Sequence, residues 1–168
     1  TGPKGKQLFL GGSHASFLPD EALEHADSVL IGEAEGIWEE LLRDHAEGKL
    51  KKQYMRKTPV DMADLKPFPT DIIPASKYDH IWTVMVARGC PHRCEFCTVP
   101  RFFRGKYHVR PIENIVAEIE AAPTSWFELH ADNLTANRQY ALDLFRALKP
   151  LNIKWAGEAT IKLADDPE

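Results

Sequence analysis

Short apolar runs that stop at glycine or a polar turn alternate, along this chain, with segments whose apolar residues recur at helical spacing. Residues 7–10 form one such run, ending in Gly11 and Gly12, and residues 27–31 form another, ending in Gly32 and Glu33. Both read as buried parallel strands closed by turns. Between them, residues 19–25 suit a short helix, with Pro19 at its start and Asp20 and Glu21 in its first turn. After the second run, Ile37, Trp38, Leu41 and Leu42 recur at helical spacing, and Gly48 supplies a C-terminal stop. Strand, helix, strand, helix predicts α/β architecture.

The pattern lapses between residues 48 and 79, where Pro59, Pro67, Pro69 and Pro74 interrupt it. Lys49, Lys51, Lys52, Arg56 and Lys57 make its front end basic, which reads as a solvated face on a linker or extended crossing segment. Periodicity resumes at residues 81–87, an apolar strand. Ile112, Ile115, Val116 and Ile119 then trace one helical stripe after Pro111, and residues 125–130 read as a strand. Ala141, Leu144, Phe145 and Leu148 repeat the stripe before Pro150, and residues 153–157 form a further strand.

Composition changes this picture mainly by exclusion. With 25 acidic and 21 basic residues among 168, the net charge is −4, so no broad basic face invites nucleic acid. No apolar run approaches the ~20 residues that span a bilayer, and no basic-then-apolar start marks secretion. The expected location is the cytoplasm. The chain opens on Thr1, and its last residues, Asp165-Asp-Pro-Glu, read as the opening of a helix. Both ends suggest a piece of a longer protein.

Candidate chemistry is concentrated in one loop. Cys90, Cys94 and Cys97 are the chain's three cysteines, spaced C-x3-C-x2-C directly after the strand at 81–87. An odd count in one short loop argues against a disulfide framework and for soft-metal ligation in a reducing compartment. Zinc with His92 as fourth ligand is one reading, although the C-x-H-x-C spacing strains a tetrahedral site. Unligated buried cysteines are another, and a Pro- and Arg-rich loop is a poor setting for them. An iron–sulfur cube on three thiolates, leaving one iron open, is the third.

The run Arg88-Gly-Cys-Pro-His-Arg-Cys-Glu-Phe-Cys, with Phe96 just before the third cysteine, resembles the signature of the radical S-adenosylmethionine (SAM) superfamily. The resemblance implies a 4Fe-4S cluster on Cys90, Cys94 and Cys97 whose open iron chelates SAM. It also implies reductive cleavage to a 5'-deoxyadenosyl radical, with the backbone around Phe96 against the adenine. Three β-α units after the cysteine strand fit the first half of a partial (β/α) TIM-type barrel, with chemistry at the C-terminal strand ends. Asp132 and Asn133 then follow the second barrel strand, where such proteins place SAM-binding groups. Many relatives read Asp-Asp-Asn there, and this chain reads Ala131-Asp132-Asn133. Helix capping by Asn133 is the alternative. Glu158 occupies an equivalent rim position after the third strand, where an exposed loop carboxylate is the plainer reading. Beyond the cluster ligands, no catalytic side chain is assigned. Arg101, Arg104 and Arg110, interleaved with Phe102, Phe103 and Tyr107, read as an ordered lid over the cluster or as a grip on an anionic group or base.

The opening stretch, from Leu8-Phe-Leu-Gly-Gly-Ser-His through Ala26-Asp-Ser-Val-Leu-Ile-Gly-Glu, resembles the last part of the cobalamin-binding domain found before the barrel in one large class of that superfamily. By that resemblance Gly11 and Gly12 are cobalamin contacts; an ordinary strand-to-helix turn is the alternative. His14 does not match the axial-ligand motif and is expected at the surface. The expected organisation is α/β: the C-terminal part of a Rossmann-like cobalamin-binding domain over 1–47, a linker over 48–79, and the N-terminal part of a radical SAM barrel over 80–168. The implied function is cobalamin-dependent radical SAM chemistry, methylation of an unactivated carbon foremost. Cyclisation or rearrangement, sulfur insertion, and a non-catalytic metal-binding module remain as alternatives. Expected cofactors are a 4Fe-4S cluster, SAM and cobalamin. Expected partners are a small-molecule or lipid substrate and an electron donor such as flavodoxin or ferredoxin, with no nucleic acid and no transmembrane segment.

Overall fold

A computed structural model describes residues 6–67 and 82–167. They form α/β structure built on parallel sheets and divide into two compact units, Thr1–Val60 with Arg101–Arg104, and Asp61–Pro100 with Gly105–Glu168.

The first unit is a three-stranded sheet ordered β1-β2-β3, from β1 (Phe9–Leu10), β2 (Ser28–Ile31) and β3 (Gln53–Met55). Both pairings are parallel, with Phe9 opposite Ser28 and Leu30 opposite Tyr54. Alternation along β2 sends successive side chains to opposite faces. Leu30 packs with Ile37, Leu41 and Tyr54 beneath α3 (Trp38–Ala46), whereas Val29 packs with Ala15 of α1 (Gly12–Phe17) and Ala22 of α2 (Pro19–His25). Helix α3 ends as the sequence predicts. The N–H of Lys49 donates to the Asp44 carbonyl at 2.8 Å and that of Gly48 to His45 at 3.1 Å, a Schellman cap, with Gly48 at φ +67°.

Two elements of this unit lie outside the expectation. Helix α1 follows β1 directly, too short at six residues for its periodicity to register. Strand β3 falls inside the stretch expected to be a linker. Its three residues carry one buried side chain, Tyr54, among lysines, so no alternating run announces it. The phenol compensates by donating to Asp44 at 2.9 Å and accepting from the Lys51 N–H at 3.1 Å. Residues 68–79 of the expected linker lie outside the described residues, as does Ile81.

The second unit holds the sheet β4-β7-β8, from β4 (Trp82–Met85), β7 (Trp126–His130) and β8 (Lys154–Gly157), again all parallel. Helices α5 (Ile112–Ala121) and α6 (Arg138–Leu148) supply the crossovers. Val84, Phe127 and Leu129 from the sheet close a core with Ile115, Ile119, Leu144 and Leu148 from the helices. The predicted stripes therefore face inward except for the half-buried Val116, with one unforeseen member: Glu118, 6% exposed, lies among them. Its carboxylate is met by the guanidinium of Arg110, itself 2% exposed. Arg110 also donates to the carbonyls of Met85 and Leu65, each at 3.4 Å. The sequence pattern registers α5 as amphipathic but carries no sign that Arg110 reaches back across it.

Candidate cofactor site

The loop bearing the three cysteines leaves the sheet at the C-terminal end of β4 and is closed at its neck. Strand β5 (Ala87–Arg88) pairs antiparallel with β6 (His108–Val109), Ala87 opposite Val109, so residues 89–107 form an excursion between two paired strands. Three hydrogen bonds fix the neck to the sheet and to α6. The Val86 N–H donates to His130 and the Arg110 N–H to Val86, both at 2.9 Å, and the Tyr140 hydroxyl donates to the Arg110 carbonyl at 2.6 Å. Burial raises the pKa of Tyr140, so this donor keeps its proton.

Within the loop, Gly89 has φ +85°, a left-handed conformation that turns the chain out of β5 directly before Cys90. The turn at 94–97 is closed by the Cys97 N–H donating to the Cys94 carbonyl at 3.1 Å, which carries the second and third cysteines on one turn. Cys94 is exposed, while Cys90 and Cys97 are half-buried. Among the described residues, no three His, Cys, Asp or Glu side chains, the three cysteines and His92 included, converge on a single metal-ion position. Phe96 is 91% exposed.

The structure brings Asp132 and Asn133 to this loop. Asp132 follows β7 and its Oδ2 accepts the Gly89 N–H at 2.7 Å, while Asn133 is 3% exposed and donates from Nδ2 to the Cys90 Sγ at 3.8 Å. Asn133 is not the cap of α6. That role falls to Asn137, whose Oδ1 accepts the Tyr140 N–H at 3.1 Å. Glu158 follows β8 with its side chain exposed, and its carbonyl accepts the Leu134 N–H at 2.8 Å. The strand ends that carry Cys90, Asp132 and Glu158 are thus adjacent in one sheet.

Tyr107 joins the cysteine loop in a way the sequence left unassigned. Its hydroxyl is buried without a partner among the described residues. Desolvation first, then the nearby Cys90 and Asp132, push its pKa up to about 12, so it remains a protonated donor. Three thiols on an outward loop, with a buried, unused donor beside one of them, fit a group rich in acceptors such as an iron–sulfur cluster with its bound ligand. Phe102 meets Phe103 at 4.9 Å and Phe17 at 6.2 Å, edge-on in both cases, within the first unit.

A second concavity lies in the first unit, at the C-terminal ends of β1 and β2. It has a volume of about 420 Å³ and is lined by Gly11, Gly12, Leu30, Gly32, Ala34 and Trp38, among others. Gly12 has φ +87°, where an added Cβ would meet nothing within 4 Å, so backbone conformation and not crowding selects glycine. The Ser16 hydroxyl ties the two glycine turns together, donating to the Gly12 carbonyl at 2.7 Å and accepting the Gly32 N–H at 2.9 Å. The sequence marks Gly32 only as a strand-ending turn and Trp38 only as a helical-stripe residue, and leaves Ser16 unassigned; the recurrence of glycine after both strands was the available signal. The groove's size and glycine-rich floor fit a ligand that approaches the backbone closely, as the tail of cobalamin would. His14 is at the surface as expected, 3.0 Å from Glu21.

Residues 84–158 match the family profile of the radical SAM superfamily. Two curated relatives from Chlorobaculum tepidum align with 98% of it. They are bacteriochlorophyllide d C-12(1)-methyltransferase at 29% identity and bacteriochlorophyllide d C-8(2)-methyltransferase at 33%. The hopanoid C-2 methylase of Rhodopseudomonas palustris is 29% identical over 95% of the chain. The chain spans 38%, 40% and 32% of the length of these three relatives. Among the described residues, no helix is long and apolar enough to cross a membrane.

Proposed function

We propose that this chain is part of a cobalamin-dependent radical SAM enzyme that methylates an unactivated carbon of a small-molecule or lipid substrate. The observation that carries the reading is the cysteine loop at the C-terminal end of β4, held by Asp132 and Asn133 from the neighbouring strand β7. Cys90, Cys94 and Cys97 would hold a 4Fe-4S cluster, and the glycine groove beside Trp38 would hold cobalamin through Gly11 and Gly12. When bound, the cluster supplies the electron that cleaves SAM and the corrinoid carries the methyl group.

The protein's own part is to position and to shield. The β5–β6 ribbon closes the neck of the loop, so the three thiols are presented from a fixed base and not from a free coil. Asp132 fixes the backbone at Gly89, and Phe96, Asp132, Asn133 and Glu158 are proposed to surround the space for SAM. The sheet β4-β7-β8 is proposed as the opening strands of a partial (β/α) barrel, whose chemistry lies at C-terminal strand ends. The sheet β1-β2-β3 is proposed as the end of a Rossmann-like cobalamin domain, with ligand at the strand ends there as well. The three relatives support methyl transfer, since each is named for the carbon it methylates. A reducing compartment such as the cytoplasm and an electron donor of the flavodoxin or ferredoxin type complete the proposal.

Hydroxocobalamin titrated into the chain should perturb the corrin absorption bands with saturating stoichiometry. Replacing Gly11 with Trp, whose Cβ would lie 3.5 Å from that of Leu30 in the groove wall, should weaken that binding by about tenfold or more, the equivalent of 1.4 kcal/mol. Unchanged affinity in the Gly11→Trp chain would remove cobalamin from this groove. In the full-length protein, substrate turnover with deoxyadenosine formed but no methylated product would favour cyclisation or rearrangement instead.

A further inference from the structure

Asn133 is buried, and the structure fixes which way its amide points. Its Oδ1 accepts from both the N–H and the hydroxyl of Thr135, each at 3.3 Å. The Thr135 N–H can only donate, so the carbonyl end must face it and the NH2 end the Cys90 Sγ, 3.8 Å away. A buried amide turned the other way would set its NH2 against the Thr135 N–H, at a cost of about 1–3 kcal/mol. Nor is Asn133 retained for helix capping, since Asn137 performs that function for α6.

The surroundings hold this contact in place. Asp132, the preceding residue, accepts the Gly89 N–H and so pins the backbone on the other side of Cys90. The neck of the loop is paired at Ala87 and Arg88. Donor and sulfur are therefore fixed from two adjacent strands, and the donor is itself buried, where a hydrogen bond acts strongly on the charge of its acceptor. Hydrogen bonds to the sulfurs of an iron–sulfur cluster are among the factors that set its potential, because they withdraw electron density and favour the reduced, more negative state.

We infer that Asn133 is a positioning residue that donates an N–H···S hydrogen bond to the Cys90 thiolate and thereby raises the reduction potential of the cluster. The inference rests on the cluster proposed above and adds, to the place of Asn133 beside the space for SAM, a direct bond to the cysteine sulfur. It concerns a single N–H donor on one ligand of three, so its effect is a shift in potential and not loss of the cluster.

The test compares the chain with its Asn133→Leu and Asn133→Asp variants, each reconstituted anaerobically and analysed for iron and sulfide. Asn133→Asp keeps an acceptor for Thr135 but lacks the N–H, and Asn133→Leu removes the donor without adding charge. Redox titration followed by electron paramagnetic resonance, in the absence of SAM, reads the cluster directly. Both variants should load fully and become harder to reduce by roughly tenfold in equilibrium constant, about 59 mV for a one-electron couple. A midpoint equal to that of the parent chain in the fully loaded Asn133→Leu variant overturns the inference. So does loss of the cluster from both variants, which would make Asn133 part of assembly and not of tuning. If the parent chain itself takes up no iron and sulfide, the cluster proposal fails, and this inference fails with it.

Discussion

Cys94→Ala should abolish the cluster and reduce deoxyadenosine formation by the full-length protein to the level of a cluster-free control, while leaving the fold intact. Cys94 is the cleanest of the three proposed ligands to remove. Its side chain is exposed and lies outside the apolar cores, so its loss from the fold should cost no more than about 0.5 kcal/mol. Cys90, by contrast, is half-buried and bonded to Asn133, so its replacement would mix folding with ligation. A cube held by three thiolates has no protein ligand in reserve, and removing one leaves two attachments. Iron and sulfide analysis, with circular dichroism as the check on folding, measures the effect. Retained visible absorbance and retained SAM cleavage in Cys94→Ala would show that the ligand set is wrong.

Arg110→Met should destabilise the second unit by about 3–5 kcal/mol, because it leaves the Glu118 carboxylate buried without its partner. The double variant Arg110→Met with Glu118→Leu should recover most of that loss, since replacing a buried ion pair with apolar groups of similar volume is often neutral. Urea unfolding of the single and double variants, with the slope compared to detect changes in the unfolded state, decides the point. A loss below about 1 kcal/mol in the single variant would mean that water reaches the pair. The consequence extends to the cofactor loop. Arg110 donates to the Met85 carbonyl at the end of β4, and its own N–H and carbonyl are bonded to Val86 and Tyr140. Weakening it loosens the neck from which the cysteines project, so cluster retention should fall in Arg110→Met even where folding survives.

The parts of this molecule that depend on local rules were legible in the sequence. Helix α2 has the bounds its Pro19 and its acidic first turn predict, α3 stops at the glycine cap, and, Val116 apart, the inward stripes of α5 and α6 are those the spacing gave. The cysteine loop was legible because its chemistry is written within eight consecutive residues. What escaped depends on contacts between distant positions. Strand β3 is extended because β2 offers it a partner, not because residues 53–55 alternate. Glu118 occupies a stripe position that only Arg110 makes tolerable. The contact of Asn133 with Cys90 joins residues 43 apart through the register of β4 against β7, so no local pattern marks it. Tyr107 was visible only as one ring among several, and its importance comes from a buried hydroxyl that a sequence does not display.

The most direct test of the central claim is the electron paramagnetic resonance spectrum of the anaerobically reconstituted, chemically reduced protein, recorded with and without SAM. The account predicts about four irons and four sulfides per chain and a spectrum that shifts when SAM occupies the iron that no cysteine holds. Stoichiometric zinc without sulfide, or a cluster spectrum that SAM leaves unchanged, would contradict it.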